Sequence, residues 1–574
     1  MNRLLANLTA ILTLCVSIAC KETKEYSPDP ATSGTGNIRI THPVANLMKS
    51  NCSSCHNGVS AVSIDFDSLT SMVENDFVRP FDPDNSRILT KSKTGHGELK
   101  PTDIAMIEKW ITWEVGLPTE GVLSQNAEAA IEIVRRDFAN TPNAQKPYIK
   151  YLSLHEFSSR SIKKISMDLA IKGVSKAVNM LSQATDIIPP TLLNKDIGLV
   201  KINLQAMQIS TSEWERTFNS YPYEYENESF KDICSTCGII LARAEFFINF
   251  ALRAPNYYRF AGIPRQLNLF EKHIGIDFQK SIKDLKVMRS GFKKSGVSSH
   301  NRVIERYLTA QKFVWRSYEF NTDTGFENIM NNPLGPPGPN ETATDMNKYF
   351  THKGNEFIYQ RRNGLMGFYA AGVTTDGSSP AAINETPSVN IAGSTVRVFV
   401  GMTCLSCHKS LIHREDEVRK KFAEPGAAAP QIVNQINILY PEASVFAKQM
   451  ADDNASLRQA MSKLGLSMDV RDPILNIVET YEKVDFKLIA NELDVPLTKL
   501  MDKIERLRAQ GFLPPVNPVL PSNPITINGQ VVVANPGLTK SALLNILMKG
   551  NRATRAELDQ ALLQKDLMKS AVNE

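Results

Sequence analysis

The sequence predicts a mainly helical protein, in which a small helical domain precedes a large, mostly helical body with a few β-hairpins. Apolar residues recur at helical spacing in two long stretches, and an amphipathic segment opens at Thr102, a residue type that caps helices. Alternating stretches joined by Asn-Gly turns predict the hairpins. The apolar positions of the two helical stretches are Ile162, Ile165, Leu169, Val174, Val178 and Leu181, then Val303, Ile304, Tyr307, Leu308 and Val314.

Individual elements follow from the same periodicities. The apolar segment 238–252 is interrupted by Arg243 and Glu245 at helical spacing, which favours an amphipathic helix over a membrane span. A further helix is predicted to bury Ile104, Ile107, Trp110 and Ile111. Hairpins are predicted over 357–369 and 525–533, and a strand over 395–400. Helices are predicted over 414–509, and a last helix opens with a capping box from Thr554 to Glu557.

Length and composition set the broad class of the protein. A chain of 574 residues is too long for one compact core, and 42% hydrophobic residues are typical of a globular protein. The net charge of +5 is small for this length, and the Lys and Arg residues are scattered. The sequence therefore gives no support for a nucleic-acid partner.

Residues 1–20 have the pattern of a targeting signal. Arg3 precedes a short apolar run, which ends at Ser17-Ile18-Ala19-Cys20. The position of Cys20 resembles a bacterial lipobox, which implies that Cys20 becomes a lipidated N-terminus. Cleavage after Ala19 by ordinary signal peptidase remains open. We expect an exported, periplasm-facing lipoprotein anchored through its N-terminal lipid, and Lys21 favours the outer membrane.

Composition shifts along the rest of the chain predict its domains. Residues 21–37 are polar and rich in Ser, Pro, Thr and Gly, which suits a flexible tether. A run of Pro and Gly from Pro333 to Glu341 marks a second boundary. The predicted domains are a small domain over 38–117, a helical middle domain over 118–332, a domain over 333–510 that contains the pattern Cys404-x-x-Cys407-His408, and a terminal segment over 511–574.

Six of the eight cysteines form three Cys-x-x-Cys patterns, of which two continue into His. In Cys-x-x-Cys-His the two thiols match the spacing of the porphyrin vinyl groups, and the His becomes the proximal iron ligand. A disulfide or zinc site is less consistent with an exported chain. The sequence thus predicts two covalently bound haem c groups. The first motif is Cys52, Cys55 and His56, and the second motif is Cys404, Cys407 and His408.

The third pattern, Cys234-x-x-Cys237, is followed by Gly238 and lacks the proximal His. We expect a local disulfide here, as is usual in an oxidising compartment. A redox-active dithiol is the alternative.

The order of elements in the first domain resembles a class I cytochrome c domain. The motif lies near the start, a ligand loop follows, and the last helix contains Trp110-Ile111. This resemblance implies a small helical fold whose loop supplies a distal Met. Residues 91–101 contain His96 instead of Met, so we predict that His96 is the distal ligand. Met72 and Met106 remain alternatives.

The region from Arg243 to the second motif is similar to a group of large exported bacterial cytochromes, for which no activity is implied. The shared residues are Ser295-Gly296-Val297-Ser298, Asn301-Arg302, Glu305-Arg306 and Asn363-Gly364-Leu365. The similarity supports haem binding and export, and it supplies no substrate.

The distal ligand of the second motif is less constrained. Met402 and His413 lie too close to the motif in sequence to reach the opposite face of the iron. We predict His352, because the strands after it lead back to the motif. The methionines of the helices that follow are rivals, namely Met450, Met461 and Met468. Without a ligand, the site would be open, and Glu356, Arg361 or Arg362 could line a reactive pocket.

The ligation of the second haem decides between functions. The first prediction is a dihaem cytochrome that carries electrons between periplasmic redox proteins in the bacterial cell envelope. The alternative is a peroxidase- or oxygenase-like dihaem enzyme that uses the second haem as its reactive site. A sensor or scaffold with structural haem is a third possibility. The sequence identifies no catalytic residue and no small-molecule substrate.

Overall fold

The computed structural model describes only part of the chain. The described residues are 43–53, 56, 64–66, 72, 77–78, 86–93, 99–113, 122–159, 165–219, 221–293, 299–307, 313–336, 350–373, 382–391, 394–411, 416–484, 486–493, 495, 499–500, 503, 526–527, 530–531 and 554–562. Residues 1–42 lie outside them, so the predicted signal, Cys20 and the whole predicted tether have no structural description.

The described part of the small domain contains three helices: α1 (Pro43–Cys52), α2 (Arg87–Lys93) and α3 (Pro101–Trp113). Helix α3 contacts both of the others. It buries Ile107, Trp110 and Ile111, which recur at helical spacing, as predicted. The first motif therefore begins at the end of a helix that packs on the closing helix.

A four-stranded mixed sheet opens the body, with the order β2-β3-β1-β4. Strand β1 pairs antiparallel with β3 and parallel with β4, so that Tyr151 lies opposite Lys201 on one side and Leu241 on the other. The strands are β1 (Ile149–Ser153), β2 (Thr191–Asn194), β3 (Leu199–Asn203) and β4 (Leu241–Arg243).

A five-stranded antiparallel sheet forms the centre of the body, in the order β5-β6-β7-β8-β9. Its strands are β5 (Val287–Phe292), β6 (Arg302–Tyr307), β7 (Val314–Glu319), β8 (Gly354–Gln360) and β9 (Met366–Gly372). Strand β7 pairs with β8, with Arg316 opposite Phe357. The predicted domain boundary at 332/333 therefore falls between two neighbouring strands of one sheet.

The prediction of a mainly α fold is wrong, because two sheets lie beside the helices. Residues 302–307 and 314–319 form β6 and β7, not helices. Val303 and Tyr307 lie on one face of β6 and Ile304 on the other. Nearly all of β6 is buried on both faces, so apolar residues do not alternate with polar ones, and the spacing resembled that of a helix.

The remaining elements are mostly short helices and two hairpins. Before the central sheet lie α4 (Val122–Ala139), α5 (His155–Ser159), α6 (Met167–Leu181), α7 (Thr211–Thr217), α8 (Ala244–Ala251), α9 (Asn256–Phe260), α10 (Leu267–Ile274) and α11 (Phe278–Lys283), with 3-10 turns at Lys146–Tyr148 and Glu224–Phe230. A third 3-10 turn, Gly325–Glu327, lies between β7 and β8. After it lie β10 (Glu385–Ile391), β11 (Ser394–Phe399), α12 (Cys404–Cys407), α13 (Glu417–Phe422), α14 (Pro430–Leu439), α15 (Ala443–Lys463), α16 (Pro473–Glu482), α17 (Phe486–Leu493), β12 (Thr526–Ile527), β13 (Gln530–Val531) and α18 (Arg555–Leu562).

Several predicted elements are confirmed. Strands β8 and β9 form the first predicted hairpin, β11 is the predicted strand, and β12 pairs with β13 as the second hairpin. The capping box is present before α18: Thr554 N donates to Glu557 Oε2 at 2.9 Å, and Glu557 N donates to Thr554 Oγ1 at 3.3 Å. These patterns are local, which is why the sequence revealed them.

Segment 238–252 differs from its prediction, and its charged residues are buried. Arg243 ends strand β4, and Glu245 lies in the first turn of α8. The Arg243 guanidinium contacts carboxylates of Glu226 at 2.8 Å and Glu492 at 2.7 Å. We call the six residues of this network the buried ionic cluster: Glu156, Glu226, Arg243, Glu492, Arg555 and Asp559.

The buried ionic cluster connects distant parts of the chain. Arg555 of α18 contacts Asp559 at 2.8 Å, Glu156 at 3.2 Å and Glu492 at 3.4 Å. The cluster therefore ties α18 to α17 and α5, and every member is buried. Among the described helices, none is long and apolar enough to cross a membrane.

Candidate functional site

In both Cys-x-x-Cys-His motifs, a backbone hydrogen bond from the His to the first Cys closes one helical turn. His56 N donates to the carbonyl oxygen of Cys52 at 3.0 Å, and His408 N donates to that of Cys404 at 2.9 Å. On a helix, side chains three and four positions apart lie on the same face. In the second motif, this turn therefore places Cys407 and His408 on the side of Cys404, as covalent haem attachment requires.

The first motif lies against aromatic side chains. The His56 ring makes edge-to-face contacts with Phe77, at a centroid distance of 5.5 Å, and with Phe66, at 6.5 Å. Cys52 is half-buried against the small domain's core. The other predicted members of this site, Cys55 and His96, lie outside the described residues. The His96 ligand therefore stays a prediction.

The two alternatives to His96 have different surroundings. Met72 is fully buried in the core of the small domain. Met106 lies on α3 and is 44% exposed, on the side of the helix away from the core. Of these two thioethers, only that of Met72 lies within the core that also contacts Cys52.

The chain reaches the second motif through a closely packed turn. Gly401 has φ +100°, and a Cβ there would lie 2.3 Å from the carbonyl oxygen of Leu252. The Tyr257 ring lies on the same side, at 2.8 Å from that Cβ position. Only glycine fits this position, which fixes the entry to the motif.

The two thiols of the second motif are unpaired and differ in exposure. Cys404 is half-buried and Cys407 is exposed. Burial raises the pKa of the Cys404 thiol to about 12. A thiol with a raised pKa is a poor nucleophile and a poor metal ligand in this state, so the arrangement does not resemble a catalytic cysteine.

His408 lies between a sheet and a pocket. Its ring is 6.5 Å from that of Phe368 on β9. Burial lowers the pKa of His408, while the nearby Glu356 carboxylate raises it and Arg302 lowers it. The His408 Nδ1 atom is buried and has no hydrogen-bond partner among the described residues.

A pocket with about 480 Å³ of unfilled space, part of it open to solvent, adjoins His408. Its wall is largely apolar and rich in thioethers, and at its end Lys176 forms a buried ion pair with Asp472. The remaining lining residues are Met180, Leu365, Met366, Leu405, Lys409, Leu457, Met461, Ser467, Met468 and Val470. A concave, mainly apolar wall beside His408 is the kind of surface on which a flat, apolar cofactor packs.

Of the three candidate distal methionines, two line the pocket and one does not. Met461, at the end of α15, and Met468, in the loop after it, both line the pocket with His408. Met450 is buried elsewhere on α15 and is not among the lining residues. The sequence did not single out Met180 or Met366 as ligands, although Met366 lies within the predicted hairpin over 357–369, which contributes to this wall.

His352 lies against the opposite face of the central sheet from His408. Its ring packs edge-to-face on Tyr318, at 4.9 Å between centroids, and Asn355 on the same face of the sheet is the neighbour that raises its pKa against the effect of burial. His408 instead contacts Phe368 and is influenced by Glu356. Because successive strand residues point to opposite faces, Asn355 and Glu356 lie on different sides of β8. The structure therefore does not bring the two histidines together.

The polar residues suggested for a reactive pocket are not among those that line it. The Arg361 guanidinium is buried and donates to the carbonyl oxygens of Ser182, at 2.7 Å, and Ala261, at 3.3 Å. Arg362 is exposed on the turn between β8 and β9. Glu356 pairs with Arg302 at 3.3 Å.

Cys234 and Cys237 form a disulfide, with a Cα–Cα distance of 5.5 Å. The Cys237 carbonyl oxygen accepts a hydrogen bond at 2.5 Å from the buried Lys150 ammonium group. Burial lowers the pKa of Lys150 to about 8. This loop is therefore closed by a covalent bond and a buried hydrogen bond beside β1.

Comparison with protein-family models, curated proteins and solved structures finds no match to this chain. Within the described part of the chain, no three His, Cys, Asp or Glu side chains come together in a group that could hold a metal ion. The case for a function therefore depends on the two motifs and on the pocket beside the second.

Proposed function

We propose that this chain is a dihaem c-type cytochrome that mediates electron transfer in the bacterial cell envelope. Cys52, Cys55 and His56 hold the first haem, and Cys404, Cys407 and His408 hold the second. The observation that carries the proposal is the second motif itself: one helical turn presents two unpaired cysteines and a histidine that lines a thioether-rich pocket.

The residues around the second motif suit covalent haem attachment. Each thiol adds across a vinyl group, which needs no leaving group, so unpaired thiols on one helical turn are what the attachment uses. Leu405 from the motif and Leu365 from the hairpin give the pocket apolar walls. When bound, haem supplies an iron that exchanges one electron between its ferric and ferrous states.

Electron transfer is favoured over enzyme chemistry by what lines the pocket. An electron-transfer site needs a second axial ligand, and the thioethers of Met461 and Met468 are soft ligands that suit this role. A reactive site needs polar groups that move protons near an open iron face. The Arg361 guanidinium donates hydrogen bonds to backbone carbonyl oxygens, and Arg362 is exposed to solvent, so neither arginine lines the pocket.

Export and partners belong to the same proposal. A lipidated Cys20 would tether the protein to a membrane facing the periplasm, through the polar residues 21–37. The partners would be periplasmic redox proteins, because electrons must enter and leave the two sites. Intact mass of the protein isolated from membranes tests the anchor, since cleavage after Ala19 without lipid leaves an unmodified N-terminus.

Haem counting tests the proposal. The protein is produced in a bacterium that matures c-type cytochromes, and covalent haem per chain is measured by absorbance and intact mass. We expect two haems in the wild type and one in Cys404→Ser/Cys407→Ser. The matched control is Cys234→Ser/Cys237→Ser, which removes a Cys-x-x-Cys pair without a following His and should retain both haems. A wild type without covalent haem would refute the proposal.

A further inference from the structure

The Cys234–Cys237 disulfide closes a very short loop, which encloses only Ser235 and Thr236. A disulfide stabilises a fold mainly by restricting the unfolded chain, and this effect is smallest for the shortest loops. The bond therefore contributes less to the stability of the body than a disulfide between distant parts of the chain would.

The chain on both sides of the disulfide is held by contacts that involve neither sulfur. Before the disulfide, Arg135 of α4 donates to Asp232 Oδ1 at 2.9 Å. After it, the Trp214 Nε1 atom of α7 donates to the carbonyl oxygen of Ile239 at 2.8 Å. Opening the sulfur–sulfur bond would leave these contacts in place, so we expect the loop to keep its position when the disulfide is reduced.

The two sulfurs differ in access. Cys234 is half-buried, whereas Cys237 is 2% exposed and lies in a core with Phe230 and Ile240. In thiol–disulfide exchange, an incoming thiolate attacks the sulfur that it can reach, and the other sulfur leaves as a thiolate. Access therefore selects Cys234 as the attacked sulfur and Cys237 as the leaving group.

A buried cation lies beside the cysteine that would leave. Lys150 of β1 is 1% exposed, and its ammonium group donates to the carbonyl oxygen of Cys237 at 2.5 Å. Burial lowers the pKa of Lys150 to about 8, against the effect of the Glu215 carboxylate, so the charged form still predominates at neutral pH. A positive charge here stabilises a thiolate on Cys237, and a thiol of lower pKa leaves faster.

We propose that the disulfide is a thiol–disulfide exchange site that accepts two electrons from a dithiol, with Cys234 as the attacked sulfur and Lys150 as the cation beside the leaving Cys237. A thiolate of the donor bonds to Cys234 Sγ as the Cys234–Cys237 bond breaks. The second donor thiol then displaces Cys234 from this mixed disulfide. The donor becomes a disulfide, and its two electrons and two protons end on the two cysteine thiols. The proposal does not depend on haem at either motif.

Reduction of the folded holoprotein tests the proposal. The protein is equilibrated with mixtures of reduced and oxidised dithiothreitol, its thiols are alkylated, and mass spectrometry of the peptide that contains Cys234 and Cys237 gives the reduced fraction. We expect the disulfide to open and re-form reversibly while the circular dichroism spectrum stays unchanged. Lys150→Met should slow the reduction on the order of tenfold, because the leaving thiolate loses its cation. A disulfide that opens only when the chain unfolds would overturn the proposal.

Lys201→Met is the matched control for the cation. Lys201 lies on the neighbouring strand β3 and pairs with Asp137 at 2.8 Å, so its loss should leave the rate unchanged. Equal rates in Lys150→Met and Lys201→Met would contradict the role of Lys150.

Single-cysteine variants test the order of attack without changing Lys150. Cys237→Ser leaves Cys234 as a free thiol, and Cys234→Ser leaves Cys237. Oxidised glutathione should modify Cys234 at least about tenfold faster than Cys237, because the buried thiol is poorly accessible. Equal rates of modification in the two variants would overturn the assignment of Cys234 as the attacked sulfur.

Discussion

The small domain and the body surround the same pentapeptide motif with different chemistry. In the small domain, His56 packs on Phe66 and Phe77, and Ser86 is the only buried polar residue among those described. In the body, His408 lies beside the Arg302–Glu356 pair, in a fold whose interior contains many paired charges. Among the described residues, the histidines of two identical Cys-x-x-Cys-His motifs thus have aromatic neighbours in one case and charged neighbours in the other.

This difference suggests two ways of tuning the iron sites. The described ring contacts of His56 are aromatic, and these two neighbours carry no charge that would stabilise one oxidation state of a bound haem over the other. At the second motif, the Glu356 carboxylate would favour the ferric state of a bound haem, and the Arg302 guanidinium beside it would oppose this. The comparison therefore predicts that the second haem responds to single charge changes, whereas the first responds to changes in packing.

The largest expected effect tests whether the body depends on its buried charges. Arg555→Ala removes the guanidinium that pairs with the buried carboxylates of Glu156, Glu492 and Asp559. We expect the free energy of unfolding to fall by about 3–5 kcal/mol, as is usual when one partner of a buried pair is removed. Denaturant titration followed by circular dichroism measures the change.

The control for this variant is an exposed ion pair. Arg471 lies 2.8 Å from Glu479, and their side chains are 50% and 34% exposed. Arg471→Ala should cost less than about 1 kcal/mol. Similar losses in Arg555→Ala and Arg471→Ala would contradict the claim that the stability of the body depends on its buried charges.

A second prediction concerns the pH dependence of the body. Burial, and then the Glu156 carboxylate, raise the pKa of Glu245 from 4.5 to about 7. Between these values the folded chain keeps a proton that the unfolded chain has lost. The unfolding free energy should therefore fall as pH rises through this window, by up to about 1.4 kcal/mol per pH unit.

Glu245→Gln should flatten this dependence, because a neutral amide replaces the titrating group. The Gln oxygen can still accept the hydrogen bond that Phe157 N donates at 2.7 Å. Glu442→Gln is the control, since its side chain is 68% exposed and should not alter the slope. A slope that persists unchanged in Glu245→Gln would show that another group is responsible.

The parts of the fold that the sequence revealed are local in the chain. The Asn363-Gly364 turn, the Thr554 capping box and the apolar side of α3 are each contained in a few residues. Strands β5 to β7 were missed because both of their faces are buried. Charged residues such as Arg289 and Glu305, which a sequence pattern assigns to solvent, form a fully buried pair inside this sheet.

In the candidate site, too, the sequence revealed the local features and missed those that combine distant parts of the chain. The two motifs are short and could be recognised, whereas the pocket combines α6, the β8–β9 hairpin and the end of α15. His352 was chosen because it precedes strands that return to the motif. The side of the sheet on which it lies depends on strand register, and the sequence did not reveal that register. The buried ionic cluster joins residues as distant as Glu156 and Arg555, and no local pattern predicts such pairs.

The smallest expected change in stability is that of substitutions at the two methionines proposed as distal ligands of the second haem. Met461→Leu and Met468→Leu conserve volume and should each cost less than about 1.5 kcal/mol. One of them should nevertheless convert the second haem from low-spin to high-spin, observed in the absorbance spectrum.

Two controls sharpen this test. Met450→Leu and His352→Ala change residues that do not line the pocket, so both should leave the spin state unchanged. A high-spin second haem in His352→Ala would contradict the placement of this histidine across the sheet. An unchanged spectrum in both pocket variants would exclude these two methionines as ligands.

The most direct test of a dihaem electron-transfer cytochrome is a low-temperature EPR spectrum of the fully oxidised protein, matured with haem in a bacterial periplasm. The proposal predicts two low-spin ferric signals of equal occupancy, one for His56 and one for His408. A high-spin signal at full occupancy from the second haem would contradict electron transfer, because it would mean an open iron face, and assays with peroxide and oxygen would follow.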